Sequence, residues 1–192
     1  MTRKPLTKLA QEFIAEAITS GDTVIDATLG NGHDTLYLAA LVGPTGKLFG
    51  FDVQQQAIAQ TEKRLSLEGL EKSAQLFLQG HEQMTQWVPA EHHGRISAIM
   101  FNLGYLPGGD KAHTTLPTTT IKALDCAKEL LAPGGRMTIL AYIGHPGGRD
   151  EANQVEHWVN GLESGQWHYH SVQPENMKSN PPKLYCCEKL QS

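Results

Sequence analysis

The stretch Thr23-Val24-Ile25-Asp26-Ala27-Thr28-Leu29-Gly30-Asn31-Gly32-His33-Asp34 decides how the chain reads. Thr23 to Ala27 forms a short buried strand. The two glycines after it let the backbone pass close to a ligand, and Asp34 is placed to cap a helix that runs to Leu41. Lys47 to Val53 then reads as a second strand and Gln55 to Leu67 as a helix. Upstream, Leu6, Leu9, Ala10, Phe13, Ile14, Ala17 and Ile18 recur at helical spacing as far as Ser20-Gly21, so the chain opens with an amphipathic helix.

Downstream, Gln75 to Gln79 and Ile96 to Asn102 read as strands, Thr118 to Leu131 as a helix, and Arg136 to Ile143 as a strand after the turn Pro133-Gly134-Gly135. Glu151 to Leu162 is a helix with Val155, Trp158, Val159 and Leu162 on one face. Two extended segments follow it, Trp167 to Val172 and Leu184 to Glu188. Parallel strands need crossover helices, so this alternation predicts an α/β fold: a Rossmann-like, doubly wound, mostly parallel sheet. The last two strands have no helix between them and should form an antiparallel hairpin at one edge. Residues 1–192 are expected to form a single domain, with no repeat or linker. Leu103 to Pro117 is the one long unpatterned stretch, and a loop of that length is more often functional than idle.

Apolar residues make up 40% of the chain and charged residues 19%, with 19 glycines and 10 prolines, an ordinary globular composition rich in turns. No apolar run approaches a bilayer span and the N-terminus has no signal core, so a cytoplasmic protein without membrane contact is expected. Cys126, Cys186 and Cys187 lack CxxC spacing and read as reduced, mostly buried thiols. Nine histidines invite a metal, but none falls with carboxylates or cysteines at ligand spacing; His92, His93, His168 and His170 read as loop or edge-strand residues, and no metal is expected. The net charge of −4 does not announce a nucleic-acid binder, although Arg3, Lys4 and Lys8 cluster.

In a doubly wound sheet the ligand lies beyond the carboxyl ends of the strands, so the residues after Ala27, Val53, Gln79, Phe101 and Tyr142 matter most. The glycine turn departs from GxGxxG at Thr35, which argues against a pyrophosphate ligand and a nicotinamide or flavin enzyme. Asp52 follows the turn by roughly 20 residues, where a carboxylate can accept two hydrogen bonds from a ribose diol. A plain helix cap before Gln55 is the competing reading for it. Gln79-Gly80-His81 could meet an adenine edge or could be an ordinary turn.

The combination DATLGNGHDTLYLA, FNLGYLPGGDK, TIKAL and GHPGG resembles the tRNA 5-aminomethyl-2-thiouridine methyltransferases, which belong to the class I S-adenosylmethionine-dependent methyltransferases and have been grouped with rRNA methylases. The resemblance spans nearly the whole chain. It implies S-adenosyl-L-methionine as cofactor and methylation of the aminomethyl group of 5-aminomethyl-(2-thio)uridine at the tRNA wobble position. It also implies that Asp26, Gly30, Asn31 and Gly32 hold the methionyl part of the cofactor, and Asp34 and Thr35 are further cofactor-binding candidates. Asp52 and Gln54 would serve the ribose and His81 the adenine, while Asn102 through Tyr105 would face the methyl group. Where many amino-methyltransferases have Asn-Pro-Pro-Tyr, this chain has Asn102-Leu103-Gly104-Tyr105, a departure that fits a flexible alkyl amine better than a ring amine.

A nitrogen attacks a sulfonium methyl in line only when its lone pair is free and aimed. An amide oxygen such as that of Asn102 can hold the amine protons without adding a charge that favours the ammonium. His145, and after it Asp110, are the candidate proton acceptors. Tyr105 or Tyr142 could stack on the base, and Lys111, Lys122, Arg136 and Arg149 could meet phosphate, against default readings of core aromatics and solvated charge. The partner expected is a tRNA anticodon loop, and a homodimer is the self-association considered. Competing readings are an rRNA methyltransferase, a small-molecule or protein amine methyltransferase, and a nucleotide-binding module without catalysis. The glycine-rich 102–110 segment argues against the last of these.

Overall fold

The computed structural model describes residues 4–105, 114–174 and 181–191. Helix α1 (Leu6–Ala15) leads into β1 (Thr23–Asp26), α2 (His33–Val42), β2 (Lys47–Asp52), α3 (Gln55–Leu67) and β3 (Ala74–Leu78). Then follow a short helix α4 (Met84–Trp87), β4 (Ile96–Leu103), α5 (Pro117–Leu130), β5 (Leu131–Ala141), α6 (Gly148–Asn160), β6 (Trp167–Val172) and β7 (Lys183–Lys189). The seven strands form one sheet in the order β3-β2-β1-β4-β5-β7-β6. The first five are parallel, and β7 runs antiparallel to both β5 and β6, which gives the edge hairpin that the missing crossover helix implies.

Alternation along each strand sends successive residues to opposite faces. Ile25, Phe49, Ile99, Phe101, Ile139 and Tyr185 pack with α4, α5 and α6, while Val24, Leu48, Ala98, Met100, Leu140 and Leu184 pack with α1, α2 and α3. A strand buried on both sides reads as a continuous apolar run, as Ala98 to Phe101 does within β4.

The boundaries differ from the sequence reading in instructive ways. Helix α1 ends at Ala15, not near Ser20, because Ala17 and Ile18 donate to carbonyls three residues back; their apolar spacing continues in tighter turns. Strand β5 begins at Leu131, before the Pro133-Gly134-Gly135 segment, and its register against β4 shifts between the Ile96–Leu131 and Ala98–Arg136 pairs. Arg136 is no rim cation. It sits midway along β5, away from the carboxyl ends, donating to the Phe13 carbonyl and Glu16 and paired with Glu188.

Candidate active site

At the carboxyl ends of β1, β2, β3 and β4 lies a cavity of about 280 Å³, where a doubly wound sheet places its ligand. Thr28, Gly30, Asp52, Gln54, His81, Asn102 and Tyr105 line it, together with Phe51, Gln79, Glu82 and the segment Thr114 to Leu116. Among the described lining residues the charged side chains are Asp52 and Glu82, with no Lys or Arg.

The glycine turn is built by close approach. Gly32, at φ +75°, precedes α2, and a Cβ there would lie 2.7 Å from Thr61 Oγ1 on α3. Side-chain bulk is therefore excluded at the helix start. No side chain caps α2: Asp34, expected to do so, lies in the first turn with its carboxylate accepting from Gln11 Nε2 at 2.7 Å and Asn102 Nδ2 at 2.8 Å. Two other side chains compete for those oxygens and hold them away from the helix end.

Asp52 accepts from the backbone N–H of Gly30 on Oδ2 (3.0 Å) and of Gln54 on Oδ1 (2.9 Å). The carboxylate's four lone pairs outnumber its backbone donors, so acceptor capacity remains, and the residue preceding α3 is Gln54, so Asp52 is not its cap. Burial raises its pKa, opposed by the N–H groups of Gln54, Gly30 and Val53. Asp26 is fully buried and does not line the cavity. Thr35 Oγ1 donates to its Oδ2 at 2.6 Å and Thr28 N to its Oδ1 at 3.2 Å. Burial first, then the charge of Asp34, push its pKa to about 7. Thr28 in turn accepts from the Asn102 backbone N–H at 2.7 Å, binding the β1 turn to the end of β4. His81 is buried with its ring edge-on to Phe101, and burial lowers its pKa, favouring the neutral imidazole.

On the β4–β5 side, Tyr105 bridges to Thr114, and Thr115 N donates to the Gly104 carbonyl, so the two ends of the long loop meet at the cavity. Thr115 and Thr120 both donate to the carboxylate of Glu151, buried at the start of α6, at 2.7 and 2.6 Å. His145 is buried edge-on to Tyr105, with Nδ1 donating to the Pro146 carbonyl at 3.0 Å and Nε2 buried without a partner among the described residues. A Cβ at Gly148 would lie 2.7 Å from that Nε2, so the last glycine of GHPGG makes room for the ring. Tyr105 and Tyr142 are 37% and 39% exposed, not core aromatics.

Six of the residues singled out from sequence therefore meet in one cavity: Gly30, Asp52, Gln54, His81, Asn102 and Tyr105. Asp26, Asn31, Gly32, Asp34, Thr35 and His145 stand outside its lining, and Asp110 and Lys111 fall outside the described residues. Lys122 and Arg149 are exposed. Sequence reading missed Thr28, Glu82, Thr115, Glu151 and Gln11. Thr28 sits inside the motif, Glu82 follows His81 and Thr115 lies in the long loop, so these three could have been found there; Gln11 and Glu151 are brought in by docking of distant helices. Among the described residues no group of three or more His, Cys, Asp or Glu could hold a metal, and no helix is long and apolar enough to cross a membrane.

Residues 48–188 match the family described as Putative rRNA methylase. The chain is 42% identical over 173 residues to the chloroplastic tRNA (mnm(5)s(2)U34)-methyltransferase of Arabidopsis thaliana, an alignment that covers 86% of this chain and 62% of that relative, so the chain spans under two thirds of the relative's length. A solved structure described as a putative rRNA-methylase from Clostridium thermocellum superposes with a TM-score of 0.93 at 39% identity, covering 99% of this chain and 100% of that one. A methyltransferase from Streptococcus mutans, in complex with SAH, superposes at 0.87 with 35% identity, again over 99% and 100% of the two chains. The chain belongs to the Putative rRNA methylase family and is a class I S-adenosylmethionine-dependent methyltransferase.

Proposed function

We propose that this methyltransferase acts on the primary amine of 5-aminomethyl-uridine, or its 2-thio form, at the wobble position of tRNA. The observation that carries the reading is the pair of groups beyond β4 and β5: Asn102, whose Nδ2 is turned to Asp34 so that its carbonyl end points away from that carboxylate, and His145, whose buried Nε2 has no partner among the described residues. The relative from Arabidopsis thaliana, whose name specifies mnm(5)s(2)U34, supports the choice of amine.

The cavity suits a cationic cofactor, since its charged lining is carboxylate. S-adenosylmethionine, when bound, supplies a methyl group activated by the positive sulfur. Asp52 would offer its remaining acceptor capacity to the ribose hydroxyls, with Gln54 beside it. Neutral His81 would face the adenine, and the 30–32 turn, steadied by Asp26 and Thr35, would hold the methionyl part.

The substrate arrives as an ammonium, which has no lone pair. His145 Nε2 accepts one proton from it, its tautomer fixed by the Nδ1–H bond to Pro146. Asn102 Oδ1 then accepts from a remaining N–H and turns the lone pair of the neutral amine toward the methyl. Tyr105 and Tyr142 at the mouth stack on the uracil, with Lys122 and Arg149 toward phosphate.

Recognition at this rim is local, so an anticodon stem-loop carrying 5-aminomethyl-uridine should be methylated nearly as well as full-length tRNA, and the same stem-loop with plain uridine not at all. Transfer of labelled methyl to each RNA at matched concentration measures this. Methylation of the control, or activity confined to ribosomal RNA, would overturn the substrate and leave the enzyme class standing.

A further inference from the structure

Helix α1 precedes the first strand of the sheet, yet one of its side chains is linked through Asp34 to a residue of the cavity wall. Gln11 Nε2 donates to Asp34 Oδ1 at 2.7 Å, and Asn102 Nδ2 donates to Asp34 Oδ2 at 2.8 Å. An ionised carboxylate has lone pairs and no proton to give, so the end that each amide turns toward Asp34 must be its NH2. For Asn102, which lines the cavity, this decides the amide orientation and leaves Oδ1 as the acceptor end of the side chain. The other ends of the chain of bonds are fixed as well: Tyr37 Oη on α2 donates to the Gln11 carbonyl at 3.2 Å, and the Asn102 backbone is tied to Thr28.

We propose that Gln11 and Asp34 are positioning residues that hold the Asn102 amide with its carbonyl toward the substrate amine, which makes α1 part of the catalytic apparatus. The proposal rests on the amine reading of Asn102 given above. Without Gln11, one oxygen of Asp34 loses its donor and the carboxylate is free to turn, releasing the amide that it orients. Gln11 touches neither the cavity nor the reacting atoms among its described contacts, so it acts only through Asp34.

The test compares wild type, Gln11→Ala, Asn102→Ala and the double variant on the aminomethyl stem-loop, with SAH affinity measured by calorimetry. Gln11→Ala should lower kcat about tenfold, with KM and SAH affinity within about twofold. In the Asn102→Ala background the same substitution should have no further effect, because the group it orients is gone. Losses that multiply in the double variant would mean that Gln11 only fastens α1 to α2, and would overturn the proposal. A second readout needs no RNA: the side-chain amide proton pair of Asn102 in nuclear magnetic resonance spectra should shift in Gln11→Ala while the backbone amides of Gly30 and Gln54 stay in place. An unchanged Asn102 pair overturns the proposal whatever the substrate proves to be, and a wild type inactive on the stem-loop counts against the substrate reading alone.

Discussion

The two sides of the cavity are held by different kinds of bond. Beside β1 and β2, backbone N–H groups of Thr28, Gly30 and Gln54 donate to the carboxylates of Asp26 and Asp52. Beyond β4 and β5 the ties run through side chains far apart in the chain: Asn102 to Asp34 across 68 residues, Thr115 to Glu151 across 36 and Thr120 to Glu151 across 31. A cradle made by backbone survives most side-chain replacements. A web of side chains fails one member at a time, because each bond depends on where another helix has docked. The β1–β2 side is thus suited to holding one constant ligand, and the β4–β5 side to being tuned for a particular acceptor.

If that division holds, variants on the two sides should separate turnover from cofactor affinity. The largest effect is expected at Asn102→Ala, which should lower turnover of the aminomethyl stem-loop roughly 100-fold, as for a misaimed reactant. Binding of SAH should hardly change, and calorimetry beside steady-state kinetics reads both. Parallel loss of affinity and turnover would mean that the two sides are one unit. Next comes Asp52→Ala, which removes an acceptor for two hydroxyls and should weaken SAH binding by about 1.5–3 kcal/mol. Unaltered affinity in that variant would reduce Asp52 to a brace for the 30–32 turn.

The smallest effect sharpens the contrast between the two carboxylates of the cradle. Asp26 is sealed, with its pKa near 7 in the folded protein, whereas an unfolded aspartate titrates near 3.8. A raised folded pKa means that the native state holds the proton more tightly. The stability this adds is complete below about pH 4 and is lost as pH rises through 7. The melting temperature of the cofactor-free protein should therefore fall between pH 5 and 7.5, and Asp26→Asn should flatten that fall. Parallel melting profiles for the two proteins would mean that Asp26 is not the group responsible.

The cradle was legible in the sequence because its parts are local: a strand, a glycine turn and an aspartate at the end of the next strand are recognisable from spacing alone. Its one misreading, Asp34 as a helix cap, arose because Gln11 and Asn102 claim the carboxylate from 23 and 68 residues away. Glu151 gave no signal for the same reason, since an acidic residue in the first turn of a helix normally faces water. His145 was visible only as a histidine before proline, and its burial follows from the space that Gly148 leaves. The exposure of Tyr105 and Tyr142 could not be read from aromatic residues in apolar surroundings, because the sheet's carboxyl edge and not its layers decides it.

Strand β7 comes last along the chain yet lies inside β6 in the sheet, hydrogen-bonded to β5 on one side and β6 on the other. As the polypeptide emerges from a ribosome, β6 is made first and has no neighbour to join, while the exposed flank of β5 stays open with its amides unpaired. Residues 183–189 act as a keystone, closing both gaps in a single event. Until that event the nascent chain carries two sticky strand edges, which is when it most needs the protection of a chaperone.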